Sequence, residues 1–312
     1  MNKVINFYNN NLSIWVLLFA SVAYIYPEIF LSVKSFINLF FGITMFGIGL
    51  VITKKDYENI IKSPWAILFG NLCQFTIMPL LAFVTSYIFS LPNEIMVGLI
   101  LTGSAPGAMT SNVISYLSKG DVTYSVSLTA VATLLAPLLT PALTLFLAGQ
   151  KVPVAFFPMF LTIIYTVVLP LLGGFIVRYF FPAFVEKIGE LPATISVSAI
   201  IVITSYVVAA NKSNLGMATF IIFGAVIFHN IAGMVLGYLA GSVARFSFVR
   251  KKTLSIEIGM QNAGLGVILA LEHFSDEVAI PAAIFTIWCI ISASLFINFW
   301  SFLEKKQQKI KS

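Results

Sequence analysis

Charge is what this sequence has least of. Lys, Arg, Asp and Glu make up 10% of the 312 residues, against about 25% in a soluble globular domain. Hydrophobic residues make up 59%, and the mean hydropathy is +0.98. This balance excludes a water-soluble fold and implies an all-α polytopic membrane protein with the lipid bilayer as its surroundings. Cysteine is limited to Cys73 and Cys289, both in apolar stretches, so no disulfide framework is expected. No His/Asp pair, metal-ligand spacing or nucleophile motif such as Gly-x-Ser-x-Gly falls inside a span, so neither an enzyme nor a resident cofactor is expected. Linkers and low-complexity tracts are missing too, and residues 1–312 read as a single transmembrane domain.

About 20 apolar residues cross a bilayer. On that measure the sequence offers ten spans, near 12–27, 36–53, 64–89, 95–117, 122–147, 153–180, 191–210, 217–242, 253–272 and 279–302. Ten spans put both termini on one side. Of the 18 Lys and Arg residues, all but Lys34, Lys151 and Lys212 then fall on that same side. The positive-inside rule makes it the cytoplasm. The net charge of +6 is therefore a topology signal, and no nucleic-acid partner is expected. Lys3, the apolar run after it and Ser21-Val-Ala23 loosely resemble a secretory signal. Cleavage is not expected, because no polar mature domain follows.

Of the 12 acidic side chains, Glu257 alone lies within an apolar span. A carboxylate at that depth costs several kcal/mol unless it is paired, protonated or bound to a cation, so it marks a functional site. Around it the helix pattern is interrupted by Gly259, Gln261-Asn262 and Gly264. The fourth span is broken in the same way, at Gly103-Ser-Ala-Pro-Gly107 and Thr110-Ser-Asn112. The breaks, near 104–111 and 258–264, occupy the fourth span of each five-span half, roughly residues 1–150 and 151–312. Two successive halves of five spans enter the membrane from opposite sides and form an inverted repeat. Matched breaks in such halves point to a transporter binding site, because freed backbone groups at membrane depth need protein, water or ligand as partners. The resumed half-helices aim their positive ends at the break, which suits an anion.

Hard cations such as Na⁺ take oxygen ligands. Candidates at membrane depth are few: Gln74 in the third span, Ser111 and Asn112 after the first break, Ser125 and Thr129 one turn apart in the fifth, and Glu257 and Gln261 one turn apart in the ninth. Taken singly, Ser125 and Thr129 would bond back to their own helix, and Gln74 would bridge two helices. His229-Asn230 reads as an interhelical pair, and Glu272 and His273 as solvated.

Gly107-Ala-Met-Thr-Ser-Asn-Val113, Lys119-Gly-Asp-Val122 and above all Glu257-Ile-Gly-Met-Gln-Asn-Ala-Gly-Leu265 resemble bacterial members of the bile acid:sodium symporter family. The resemblance covers essentially the whole chain, including Met45-Phe-Gly-Ile-Gly49 and the stretch from Gln74 to Pro79. It implies ten helices in a panel and a core domain, with broken helices four and nine crossing at mid-membrane. It also implies two Na⁺ sites. One would use Ser111, Asn112, Ser125, Thr129 and Glu257. The other would use Gln74, Glu257, Gln261 and the carbonyls of Ile258 and Met260. An organic anion, a bile acid or a smaller acid such as pantoate, would lie beside the crossover against Ala108, Met109, Thr110, Asn262 and Ala263.

Two departures stand out. Relatives that accept bile acids carry Trp-His-Asn where this chain has Trp288-Cys289-Ile290, and often Thr where it has Met109. Cys289 and Ile290 would thus face the substrate without two polar contacts, which favours a small monocarboxylate. The expected function is Na⁺-coupled uptake of that anion, with coupling by protons or passive permeation as alternatives. The sequence leaves the oligomeric state open, and a monomer is expected to suffice.

Overall fold

A computed structural model describes residues 12–51, 63–213 and 217–311. Its helices, in chain order, are α1 (Leu12–Ile25), α2 (Pro27–Leu31), α3 (Ile37–Val51), α4 (Pro64–Ile88), α5 (Asn93–Ser104), α6 (Thr110–Leu117), α7 (Val122–Ala148), α8 (Phe156–Ile163), α9 (Leu169–Phe180), α10 (Pro182–Ile188), α11 (Leu191–Ala210), α12 (Met217–Val243), α13 (Phe248–Gly259), α14 (Ala263–His273) and α15 (Ile280–Lys311). No strand occurs among the described residues. Lys3, Lys54, Lys55 and Lys62 of the charge pattern lie outside them, as do the side chains of Ile290 and the basic tail Lys305–Lys311.

Seven helical stretches among the described residues are long and apolar enough to cross a membrane. Of the other three expected spans, the first is shorter than expected, since α1 has 14 residues. The fourth and ninth are each two half-helices, α5 with α6 and α13 with α14. The sixth span is also less regular than expected. A π-helical turn at Ile164–Val168 separates α8 from α9, because Pro170 has no N–H for the carbonyl one turn back.

The helices pack in two groups. In one, α11 lies against α1, α2 and α3, and α3 against α9. In the other, α4, α5 and α7 pack on one another, and α12 packs on α4, α13 and α15. Outward faces are apolar: Phe146, Phe220 and Val243 are 80%, 78% and 81% exposed, as lipid-facing residues should be. α5 is buried on every side from Ile95 to Ser104, the mark of a helix inside a bundle.

The first group is held by backbone-to-backbone contact. A Cβ on Gly49 would strike the Leu171 carbonyl and one on Gly174 the Phe46 carbonyl, so α3 and α9 touch through bare glycines. Gly174→Val should force them apart at a cost of about 1–3 kcal/mol, read as a lower Tm in detergent. An unchanged Tm would show that the helices do not meet there.

The charged ends separate as the sequence pattern requires. Arg250 pairs with Asp121 at 3.3 Å at the start of α13. Lys34 reaches Asp276 at 3.7 Å, beyond the end of α14. These are opposite ends of one broken span.

Candidate functional site

The two breaks meet. α5 stops at Ser104, where Ala105 turns extended (φ −69°, ψ 156°), and α13 stops at Gly259, where Met260 does the same (φ −106°, ψ 104°). Ala108 N–H donates to the Met260 carbonyl and Asn262 N–H to the Pro106 carbonyl, both at 2.8 Å. Gly107 and Gln261 thus form an antiparallel bridge deep in the bundle. The unwound backbone satisfies itself across the crossing, as a site away from water demands.

On one flank stands Glu257, only 2% exposed. Its Oε2 accepts from Ser111 Oγ at 2.6 Å and lies 2.8 Å from Ser125 Oγ, and its Oε1 accepts from Thr129 Oγ1. Asn112 Oδ1 lies 2.8 Å from Ser125 Oγ and 3.4 Å from Thr129 Oγ1. All five residues predicted for one oxygen cluster therefore come together, from α6, α7 and α13. Thr129 Oγ1 also lies 3.1 Å from the Ser125 carbonyl. Gly107 is required at this point, since a Cβ there would sit 2.6 Å from Glu257 Oε1.

A clasp holds α6 to α13. Lys252 Nζ donates to the Ser118 carbonyl and Asp121 N–H donates to Thr253 Oγ1 at 2.7 Å. Together with the Arg250–Asp121 pair, these contacts fix Ser111 and Asn112 relative to Glu257.

Beside the carboxylate, Gln261 Nε2 donates to the Ile258 carbonyl at 2.7 Å, and Gln74 Nε2 donates to Gln261 Oε1 at 2.8 Å and to the Ala105 carbonyl at 3.3 Å. Gln74, Gln261 and Ile258 are joined, and Glu257 lines the same small cavity as Gln74. The Met260 carbonyl is committed to the bridge with Ala108. Gln74 has a counterpart across the molecule: Asn230 Nδ2 donates to the Gly259 carbonyl at 2.7 Å, so at each break a side-chain amide holds a carbonyl, that of Ala105 just past α5 and that of Gly259 at the end of α13. Asn230 also accepts from Trp288 Nε1 at 3.1 Å, and His229 Nε2 lies 3.0 Å from the Met78 carbonyl. That pair is interhelical, as the sequence indicates. Glu272 and His273, in contrast, are more than solvated: Asn38 Nδ2 donates to Glu272 at 2.9 Å, and Thr162 Oγ1 lies 2.9 Å from His273 Nε2.

On the other flank opens a cleft with about 100 Å³ of room for water. Ala108, Met109, Thr110, Asn262, Ala263 and Cys289 all line it, so the predicted substrate residues with described side chains converge; that of Ile290 lies outside the described residues. Asn262 caps α14 by accepting from Leu265 N–H at 3.3 Å, and Asn112 Nδ2 reaches Met109 Sδ at 3.6 Å. Sequence reasoning missed the opposite wall, Phe41, Met45 and Thr44 of α3 and Ile200, Ile203 and Thr204 of α11. Among the described residues, none that lines the cleft is charged.

The crossing thus has two polarities. Glu257 lies in the last turn of α13, at its partly negative end, and the N-terminal ends of α6 and α14, with partial positive charge, line the cleft. A multi-span helical protein built this way has the construction of a membrane transporter. The chain belongs to the sodium bile acid symporter family, whose sequence profile matches residues 38–218. It is 39% identical over 308 residues to a Bacillus subtilis (strain 168) protein named "Uncharacterized sodium-dependent transporter YocS", covering 99% of this chain and 96% of that one. It is also 33% identical over 266 residues to the probable sodium/metabolite cotransporter BASS1, chloroplastic, of Arabidopsis thaliana, covering 85% and 66% of the two chains. Over 309 residues it is 32% identical to the probable sodium/metabolite cotransporter BASS2, chloroplastic, of Oryza sativa subsp. japonica, covering 96% and 72%.

Proposed function

We propose that the protein is a symporter of the inner membrane that moves a small organic monocarboxylate into the cell with two Na⁺ ions. The observation that carries this reading is a shortage of protons around Glu257. Ser125 Oγ lies 2.8 Å from both Glu257 Oε2 and Asn112 Oδ1, yet a hydroxyl has one proton to give. With the Asn112 amide turned so that its Nδ2 donates to Met109 Sδ, one of those close oxygen–oxygen contacts is left without hydrogen, and a cation among the oxygens relieves it. Ser111, Asn112, Ser125, Thr129 and Glu257 would hold the first ion. Gln74, Glu257, Gln261 and the Ile258 carbonyl would hold the second, with Met260 contributing only its remaining lone pair. A proton on Glu257 would also fill the first gap, but it does nothing for Gln74 Oε1, which is buried without a hydrogen-bond partner.

Ten spans in two inverted repeats fit the paired amide contacts Gln74–Ala105 and Asn230–Gly259. The packing of α1, α2, α3, α9 and α11 apart from the crossing supports a panel domain beside a core, with both termini cytoplasmic by the Lys and Arg distribution. Uncharged walls leave an anion to the helix N-termini, Thr110 and Asn262, which suits one carboxylate with an apolar body. Two cations with a monoanion carry net charge, so each 100 mV would add about 2.3 kcal/mol per net charge moved.

Ion and substrate share one crossing, so their binding should be mutually favourable. In calorimetry on the purified protein, keto and hydroxy acids and pantoate should bind about tenfold more tightly in Na⁺ than in K⁺, a coupling of about 1.4 kcal/mol, and more tightly than bile acids. Glu257→Gln should erase the difference. Equal affinity in both salts, or uptake driven by a pH gradient alone, would overturn sodium coupling.

A further inference from the structure

The cavity beneath the crossing has a second orphaned oxygen, on a residue outside the predicted ligand sets. Asn71 lies one turn before Gln74 on α4, and the two are 4% and 3% exposed. Both line a small cavity whose other walls are Gly70, Gly107, Leu128 and Ala132, with the Glu257 carboxylate at one side. Asn71 Oδ1 and Gln74 Oε1 are each buried without a hydrogen-bond partner.

The orientation of both amides is dictated by their neighbours. Asn71 Nδ2 donates to the Ile67 carbonyl at 2.9 Å, so a flipped amide would set oxygen against oxygen. Gln261 Nε2 is fixed by the Ile258 carbonyl, which leaves Gln261 Oε1 as the acceptor that fixes Gln74 Nε2. The Ala105 carbonyl holds Gln74 the same way. Each chain of bonds ends on a backbone carbonyl, which only accepts, so both amide oxygens are left free. A buried acceptor without a donor is costly, and such groups in a native protein are normally satisfied by something that binds. Two of them beside a carboxylate, with no donor among the cavity's other lining side chains, suit a positive ion bound through oxygen.

We infer that Asn71 is a further ligand of the second cation, its Oδ1 completing with Gln74 Oε1 and Glu257 a set of side-chain oxygens in the cavity between α4, α7 and the crossing. This rests on the sodium-coupled reading and extends it. Asn71 takes up coordination that the Met260 carbonyl, engaged by Ala108, supplies only in part.

The test is a Na⁺ titration of the purified full-length protein without substrate, against choline at constant ionic strength, followed by the rise in Tm. Asn71→Ala should raise the half-saturating Na⁺ concentration about tenfold. Its carboxylate affinity at saturating Na⁺ should stay within about twofold of the parent, because Asn71 does not line the cleft. Asn71→Asp keeps the shape and adds charge, and should lower the half-saturating concentration; it decides the matter if Asn71→Ala does not fold. Parental titrations in both variants would mean that Asn71 does not meet the ion, which overturns this assignment and leaves sodium coupling standing. A parent protein whose Tm ignores Na⁺ would overturn both.

Discussion

Gly107→Ala should cut uptake about 100-fold and abolish its Na⁺ dependence while leaving a folded protein. The new methyl carbon would sit 2.6 Å from Glu257 Oε1, and neither side is free to yield. The carboxylate is held by Ser111, Ser125 and Thr129. The backbone of residue 107 is pinned between the hydrogen bonds of Pro106 and Ala108. Overpacking of this kind costs about 1–3 kcal/mol, a small part of a large membrane protein's stability. Here the whole cost falls on the geometry that binds ions, and at about 1.4 kcal/mol per factor of ten it gives the predicted loss. Uptake in proteoliposomes, with circular dichroism as the check on folding, decides it. Parental uptake would show that carboxylate and glycine do not meet in the working protein.

A chemical tie between Asn38→Cys and Glu272→Cys should stop transport altogether. All the polar contacts described around residues 272–276 come from the first helix group or the sixth span: Asn38 on Glu272, Thr162 on His273, Lys34 and the Tyr206 hydroxyl on Asp276, and Asn211 on the Asp276 carbonyl. Removing one of them should matter little. The Lys34–Asp276 pair, with side chains 60% and 36% exposed, is worth under about 1 kcal/mol. A covalent bridge differs in kind, because it holds the end closed whatever the ion gradient. With a short bifunctional thiol reagent, the double variant should lose uptake while each single variant keeps it. Continued transport by the bridged protein would show that this end never opens.

The gathering of side chains around Glu257 was largely legible in the sequence, for a reason particular to membranes. Polar side chains at depth are so few that Ser111, Asn112, Ser125, Thr129, Glu257, Gln261 and Gln74 nearly select themselves, and one-turn spacings put Ser125 with Thr129 and Glu257 with Gln261. Asn71 obeys the same spacing to Gln74 and was within reach of that argument. The far wall of the cleft was not legible. Phe41, Met45, Ile200 and Ile203 read in sequence like any lipid-facing residue, and only tertiary packing turns them inward. Nor was the bridge legible, since Pro106, Ala108, Met260 and Asn262 take part through main-chain atoms that every sequence has. The engagement of the Met260 carbonyl and the hydrogen bond of His273 escaped for the same reason: both depend on what another helix brings near.

The main-chain splice between residues 106–108 and 260–262 has a consequence for how such proteins diversify. On the proposed reading, the oxygens that would meet the ions are borne by α4, α6, α7 and α13, whereas one wall of the cleft comes from α3 and α11, which contribute nothing to the splice. Exchanges on those two helices can therefore resize the compartment without disturbing the machinery that harvests the gradient, so one chassis can be refitted for new cargo by ordinary apolar substitutions.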